Sequence, residues 1–206
     1  MKVLNLYAGI GGNRKLWADV DVTAVELNPD IAKIYQDFFP EDKVIVADAH
    51  EYLLQHYKEF DFIWSSPPCP THSLLRYSQK KRYTPVFPSM ILYEEIIFLN
   101  HYFAGKWVVE NVKSYYRPLI RPNEIGRHYY WANFFITNFK GKNQTICNQP
   151  IGKNGLAHKE QELGIKIENF YNYKDDKRTL VNNMVEPEIG LHIFNSMNNQ
   201  ELTLNI

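Results

Sequence analysis

The chain has 206 residues, 45% of them hydrophobic and 22% charged, with 23 Lys and Arg balanced by 23 Asp and Glu. That length and balance fit one globular domain with a sizeable core and exclude a disordered or fibrous chain. A net charge of zero sets up no global field toward nucleic acid, although a local basic patch suffices for such binding. Two cysteines exclude a disulfide framework, the lack of a CxxC pair speaks against zinc, and no metal site is expected. The N-terminal "MKVLNLYAG" has no apolar stretch of signal-peptide length, and no segment is long enough to span a membrane. The expectation is a reduced, cytoplasmic protein, in which the sequon Asn143-Gln144-Thr145 is incidental.

In chain order, "VLNLY" (3–7) reads as a strand that runs into glycines and then "NRKLWADV", a candidate short helix. "VTAVEL" (22–27) leads into "PDIAKIYQDFF", where Pro29 suits a first helical turn. "KVIVAD" (43–48) leads into "AHEYLLQHYKEF", which carries apolar residues at helical spacing. "FDFIWS" (60–65) enters a Pro-Pro-Cys turn and a long loop, "PSMILYEEIIFLNHYFAG" (88–105) reads as a helix ended by Gly105, and "KWVVEN" (106–111) is a fifth strand. This alternation predicts an α/β fold with a mostly parallel sheet and helices on both faces. Past residue 128 the pattern changes: "YYWANFFITNF" reads as β structure and "EPEIGLHIFNSM" (186–197) as a closing helix. The expected organisation is a core over 1–139, a small polar insert over 140–178 and a C-terminal segment over 179–206.

In open α/β sheets, ligands bind beyond the carboxyl ends of the strands. The first strand ends in "YAGIGG", whose glycines allow a sharp turn and close approach to a ligand. The second ends at Glu26, suited to the two hydroxyls of a ribose, and the third at Asp48, able to accept from an adenine amino group. The fourth ends at the Cys69 turn and the fifth at Glu110-Asn111. Singly these are weak signals, because a glycine turn is often only a turn, a strand-end acid a solvated cap, and a lone cysteine a small core residue. Five in this order carry more.

"LYAGIGG", "SSPPCPTHS" and "VVENV" together resemble three signature motifs of the cytosine-C5 methyltransferases, S-adenosylmethionine-dependent enzymes acting mainly on DNA. The resemblance runs from residue 3 to about 136 and returns near 180–187, and it implies a Rossmann-like methyltransferase fold. It implies that Tyr7, Ala8, Gly9, Gly11, Gly12, Glu26, Asp48 and Pro67 serve the cofactor. Cys69 would be the nucleophile, rigidly aimed by Pro67 and Pro68 and partly ionised by its surroundings, and Glu110 would bond the cytosine ring nitrogen. The target atoms lie inside the base stack, so the base has to be flipped out. Ser73 falls where the family has a serine beside the DNA backbone, and Arg76, Lys80, Lys81 and Arg82 on the same loop suit either phosphate contact or a solvated face. Asn111 completes the substrate set.

"GRHYYWANF" (126–134) resembles the family's arginine motif, in a register that puts His128 at the arginine position and Arg127 one residue away; Arg127 is the candidate. "NNMVEP" (182–187) resembles a Gly-Asn-Ser-Val-x-Pro motif that returns to the cofactor, with Asn183 as the contact or, alternatively, a helix cap. Cys147, His192 and His72 read as structural, and Tyr115, Tyr116, Tyr129, Tyr130 and Trp131 as core or sheet residues. The recognition segment is short, so the chain resembles the compact, phage-encoded or orphan members, found in bacterial or phage-infected cells, with a short target or low selectivity. DNA is the expected partner and a monomer the expected state. Three alternatives stand beside this: a tRNA methyltransferase of the same chemistry, a silent nucleic-acid-binding relative, and a Rossmann dehydrogenase. Intact Cys69 and Glu110 argue against silence, and residues 9–12 lack the spaced G-x-G-x-x-G of a dehydrogenase.

Overall fold

A computed structural model describes residues 1–78, 84, 86–139, 141, 160–161 and 163–198. The strands are β1 (Lys2–Leu6), β2 (Asp21–Glu26), β3 (Lys43–Val46), β4 (Phe62–Ser65), β5 (Lys106–Val112), β6 (Asn123–Ile125) and β7 (His128–Ala132), in one sheet of order β3-β2-β1-β4-β5-β7-β6. β1 to β5 run parallel, and β7 is antiparallel to both of its neighbours. The helices are α1 (Pro29–Phe38), α2 (Ala49–His56), α3 (Leu74–Ser78), α4 (Ile91–Tyr102), α5 (Lys177–Asn182) and α6 (Pro187–Asn198).

The central strands read as continuous apolar runs because both of their faces are covered. Leu4, Leu6, Ile63 and Val109 pack with Leu53 of α2 and Leu92, Ile96 and Leu99 of α4. On the opposite face Val3, Phe62, Trp64 and Val108 pack with Ile189, Ile193 and Phe194 of α6. Asn28 caps α1 by accepting from the backbone N–H groups of Asp30 and Ile31, with Pro29 at the first turn. Strand order reverses between β1 and β4, which opens a crevice beyond their carboxyl ends.

Two expected elements differ. "NRKLWADV" forms consecutive turns, with Arg14 N–H bonding Gly11 C=O and Trp17 N–H bonding Arg14 C=O. Tertiary ties outweigh helix formation here: Asn13 donates to Asn5 at 2.8 Å, Arg14 grips Asp42, and the buried Trp17 donates to Gly190 C=O at 3.2 Å. The expected β run over 129–139 stops at Ala132, because the Asn133 side chain takes the next bonds, to Gly105 C=O and Trp107 N–H. Of the insert, Leu163 and Ile167 pack on Ile10 and Ile34, and Lys15 Nζ donates to Leu163 C=O, so this part leans on the glycine turn. Cys147 and the sequon lie outside the described residues.

Candidate active site

Beyond β1 the chain turns at Tyr7 and Gly9, both at φ 54°. A tyrosine in this left-handed region costs about 1–2 kcal/mol, and its phenol is anchored by donation to Glu95 Oε1 at 2.6 Å. Glu95, on α4, is fully buried; it also accepts from the Ser65 hydroxyl and stands 3.1 Å from His50 Nδ1. The hydrogen bond to Glu95 raises the His50 pKa.

Ala8 N–H donates to Val25 C=O, and Gly9 N–H donates to Glu26 Oε2 at 3.0 Å, while Glu26 Oε1 accepts from Asn28 N–H at 2.9 Å. Burial pushes the Glu26 pKa up against these bonds. The three glycines differ in role. A methyl group on Gly9 would meet no atom within 4 Å, whereas one on Gly11 would strike the Phe39 and Tyr35 rings and one on Gly12 would lie 2.5 Å from Val185 O. Gly9 borders open space, and Gly11 and Gly12 permit close packing. Asp48 sits two residues past β3 and caps α2 by accepting from Glu51 N–H at 2.9 Å.

After β4 the chain passes Ser66, buried Pro67 and exposed Pro68 to half-buried Cys69. The Cys69 carbonyl accepts from the N–H groups of His72 and Ser73, closing a tight turn. Asn111, at the end of β5, donates its amide to Pro67 C=O at 2.9 Å. Buried His72 meets the Tyr116 hydroxyl at 2.6 Å, Ser73 pairs with Ser114, and Tyr77 stacks on Tyr115 at 4.7 Å. The Cys69 turn is therefore fastened to β5 and to the segment that follows it. Tyr115 and Tyr116 are half-buried clamps rather than core residues, while Tyr130 and Trp131 are in the core.

Glu110 lies on β5 directly opposite Tyr130 of β7, so both side chains occupy one face of the sheet. Burial pushes the Glu110 pKa up to about 7 despite a hydrogen bond from Ser66. The Cys69 thiol is also pushed up, first by burial and then by the Glu110 charge, with Arg127 opposing. The expected partial ionisation of the thiol is thus not met, because desolvation outweighs the one nearby cation.

Arg127 and His128, the two residues at or beside the expected arginine position, face different groups. Arg127 Nε lies 3.7 Å from Glu186 Oε1, and its terminal nitrogen donates to Asn182 C=O at 3.1 Å. Buried His128 sits 3.7 Å from Glu110 Oε1. Strand alternation accounts for this, since His128 and Tyr130 share the Glu110 face. Asn183 is exposed and its N–H bonds Thr179 C=O at the end of α5, the helix-cap alternative. Arg76 is in α3 with its side chain outside the description, and Lys80, Lys81 and Arg82 lie outside the described residues. Among the described residues there is no cluster of metal ligands and no helix long and apolar enough to cross a membrane. Sequence reasoning missed Glu95 and Glu186, and it set His128 at the arginine position but took Arg127 as the candidate.

The strand order and this crevice define a Rossmann-like methyltransferase fold. A similar fold spans nearly all of a methyltransferase of Entamoeba histolytica, at 13% identity over 98% of each chain and a TM-score of 0.59. DNMT2 of Spodoptera frugiperda matches at 26% identity over 54% of this chain and 35% of that one, with a TM-score of 0.38. A conserved hypothetical protein of Streptococcus pyogenes matches at 16% identity over 64% of this chain and 83% of that one, with a TM-score of 0.44. No curated protein sequence matched. The family model for C-5 cytosine-specific DNA methylase matches residues 1–118, more than half of the chain. The chain belongs to that family.

Proposed function

We propose that this protein is a DNA (cytosine-5)-methyltransferase that moves a methyl group from S-adenosylmethionine to C5 of a flipped cytosine through a covalent bond between Cys69 and C6. The observation that carries the reading is the junction of two strand ends. Asn111 ties the Pro67–Cys69 turn to β5 one residue beyond Glu110, so thiol and carboxyl are held in one frame.

The residues beyond β1 and β2 fit the cofactor, because Gly9 leaves open space beside the Glu26 carboxylate. Glu26 would hold the ribose hydroxyls, Asp48 the adenine amino group, and Tyr7, Ala8 and Pro67 the walls, with Gly11, Gly12 and Asn183 shaping the far side. S-adenosylmethionine supplies an electrophilic methyl group there.

Glu110, with a pKa pushed up to about 7, keeps a proton that it can give to ring N3. Cys69 gives its proton to water and forms the S–C6 bond, and the C5–C6 π pair becomes the nucleophilic pair at C5. That pair takes the methyl group, and the electrons of the broken carbon–sulfur bond stay on the sulfonium sulfur. Water takes the C5 proton, which restores the C5–C6 double bond and expels the Cys69 thiolate, and N3 returns its proton to Glu110. Arg127 opposes the build-up of negative charge around Cys69 and Glu110. Ser73 and Arg76 would meet phosphate, and the segment 140–178 would read a short target.

Covalent trapping tests the reading. Protein and S-adenosylmethionine are incubated with DNA or RNA containing 5-fluorocytosine, where fluorine blocks the last elimination. A DNA adduct that Cys69→Ala abolishes is expected. An adduct on RNA alone would reassign the substrate, and no adduct on either would overturn the reading.

A further inference from the structure

Helix α4 buries Leu92, Tyr93, Ile96 and Leu99 and, among them, the fully buried Glu95. An apolar side chain at that position would avoid the cost of desolvating a carboxyl group. What the carboxyl group adds is a meeting point for three segments. Tyr7 donates to Oε1 at 2.6 Å, the Ser65 hydroxyl donates to Oε2, and His50 Nδ1 stands 3.1 Å from Oε1. Tyr7 opens the glycine turn beyond β1, Ser65 ends β4, and His50 lies in the first turn of α2, which Asp48 caps. These are strand-end segments that border the crevice. Tyr7 also holds φ 54°, and a residue in that region persists only where its surroundings fix it.

We infer that Glu95 is a positioning residue for the cofactor: it fixes Tyr7 and the Asp48 end of α2 relative to one another, and protonated His50 is its counter-ion. This role rests on the methyltransferase reading above; Glu95 acts on cofactor affinity through Tyr7 and His50, without touching the reacting atoms. Among the described residues, the charged groups facing His50 are all acidic: Glu95 at 3.1 Å and Glu94 at 3.9 Å from α4, and Asp48 at the cap of its own helix. The Tyr7 phenol, bonded to the same Glu95 oxygen, stays protonated because burial and Glu95 push its pKa up. The bond to Glu95 raises the His50 pKa. The ring is therefore charged below the raised value, and as pH rises through it the buried carboxyl group loses its cation. Cofactor affinity is full on the acid side and falls on the alkaline side.

The test is calorimetric binding of S-adenosylmethionine to the parent, Glu95→Gln, Tyr7→Phe and His50→Gln proteins at about pH 6 and about pH 8. Thermal melting at each pH shows which of them are folded. The cofactor's own amino group titrates in this range with every protein, so the readout is a difference between proteins. Affinity should fall at least about threefold more in the parent than in His50→Gln between the two pH values. Glu95→Gln should weaken binding at about pH 6 by about tenfold, the scale on which misplaced binding groups act. Tyr7→Phe, which removes one of the three bonds, should weaken it several-fold and decides the matter if Glu95→Gln does not fold. A folded Glu95→Gln or Tyr7→Phe protein that melts lower yet binds cofactor as the parent does would make Glu95 structural only and overturn the inference. The same pH dependence in the parent and His50→Gln would overturn the counter-ion role. A parent that binds no S-adenosylmethionine at either pH would instead overturn the methyltransferase reading itself.

Discussion

The side-chain amide of Asn111 donates to the carbonyl of Pro67 at 2.9 Å, and this bond joins the carboxyl end of β5 to the turn that presents Cys69. Both groups are buried, so the bond is strongly localised. Asn111→Ala would leave the Pro67 carbonyl unpaired at a cost of about 1–3 kcal/mol. More tellingly, the thiol would lose its aim. Single-turnover methyl transfer should fall at least about tenfold, because misplacement of reacting groups is costly. Cofactor affinity, measured by calorimetry, should stay unchanged, and equal losses in both would count against a positioning role.

The thiol's ionisation gives a second prediction. Burial and the Glu110 charge both raise the Cys69 pKa, so iodoacetamide should alkylate Cys69 slowly at neutral pH and faster as pH rises. Glu110→Gln removes the like charge and should move the alkylation profile to lower pH. Arg127→Met removes the opposing charge and should move it higher. Identical profiles in all three proteins would show that the groups do not sense one another.

Glu110 also links stability to pH. Its folded pKa of about 7 lies above the ordinary 4.5, so the contribution is full below 4.5 and is lost as pH rises through 7. The loss is on the order of 3 kcal/mol by the pKa difference. Glu110→Gln, permanently neutral, should therefore melt higher than the parent at about pH 8 and no higher at about pH 5. A constant difference at both would refute this account.

Gly9 and Gly12 should separate binding from folding. Gly12→Ala places a methyl group 2.5 Å from Val185 O, a clash with backbone that costs on the order of 2 kcal/mol or more in melting experiments. Gly9→Ala meets no atom and carries only the left-handed strain of about 1–2 kcal/mol. Its larger effect should be on S-adenosylmethionine affinity. A Gly9→Ala protein that binds normally would move the cofactor elsewhere.

The buried Glu95 makes a further case. Glu95→Ala would strand the Tyr7 and Ser65 hydroxyls and should cost about 3–5 kcal/mol by chemical denaturation, whereas Tyr7→Phe should cost about 1 kcal/mol. The raised His50 pKa adds a sign: its contribution is full below about 6.5 and is lost as pH rises through the raised value. His50→Ala should accordingly cost more at about pH 6 than at about pH 8, allowing for partial exposure.

The five parallel strands were legible because central strands of such sheets must be apolar on both faces, as "FIWS" is. The motif residues were legible because each closes a strand. What escaped depends on partners far along the chain. Arg14 finds Asp42 and Trp17 finds Gly190, so a helix-like segment becomes a set of turns. The choice between Arg127 and His128 turns on which residue of β7 faces Glu110, and this requires the exact start of a short edge strand. Glu95 was half visible: it lies three residues after Leu92 and four before Leu99, on the stripe that α4 buries. Glu186 gave no signal, because its environment is built by Arg127 from the distant turn between β6 and β7.

Gly12 rests against Met184 and Val185, more than 170 residues later in the chain. The glycine turn leaves the ribosome well before the wall that packs behind it. Domains form from the N-terminal side as synthesis proceeds, but this turn has to wait. A nascent chain carrying the Cys69 turn and the glycine turn therefore remains unfinished until residues 184–185 arrive, and order in time joins order in space at this contact.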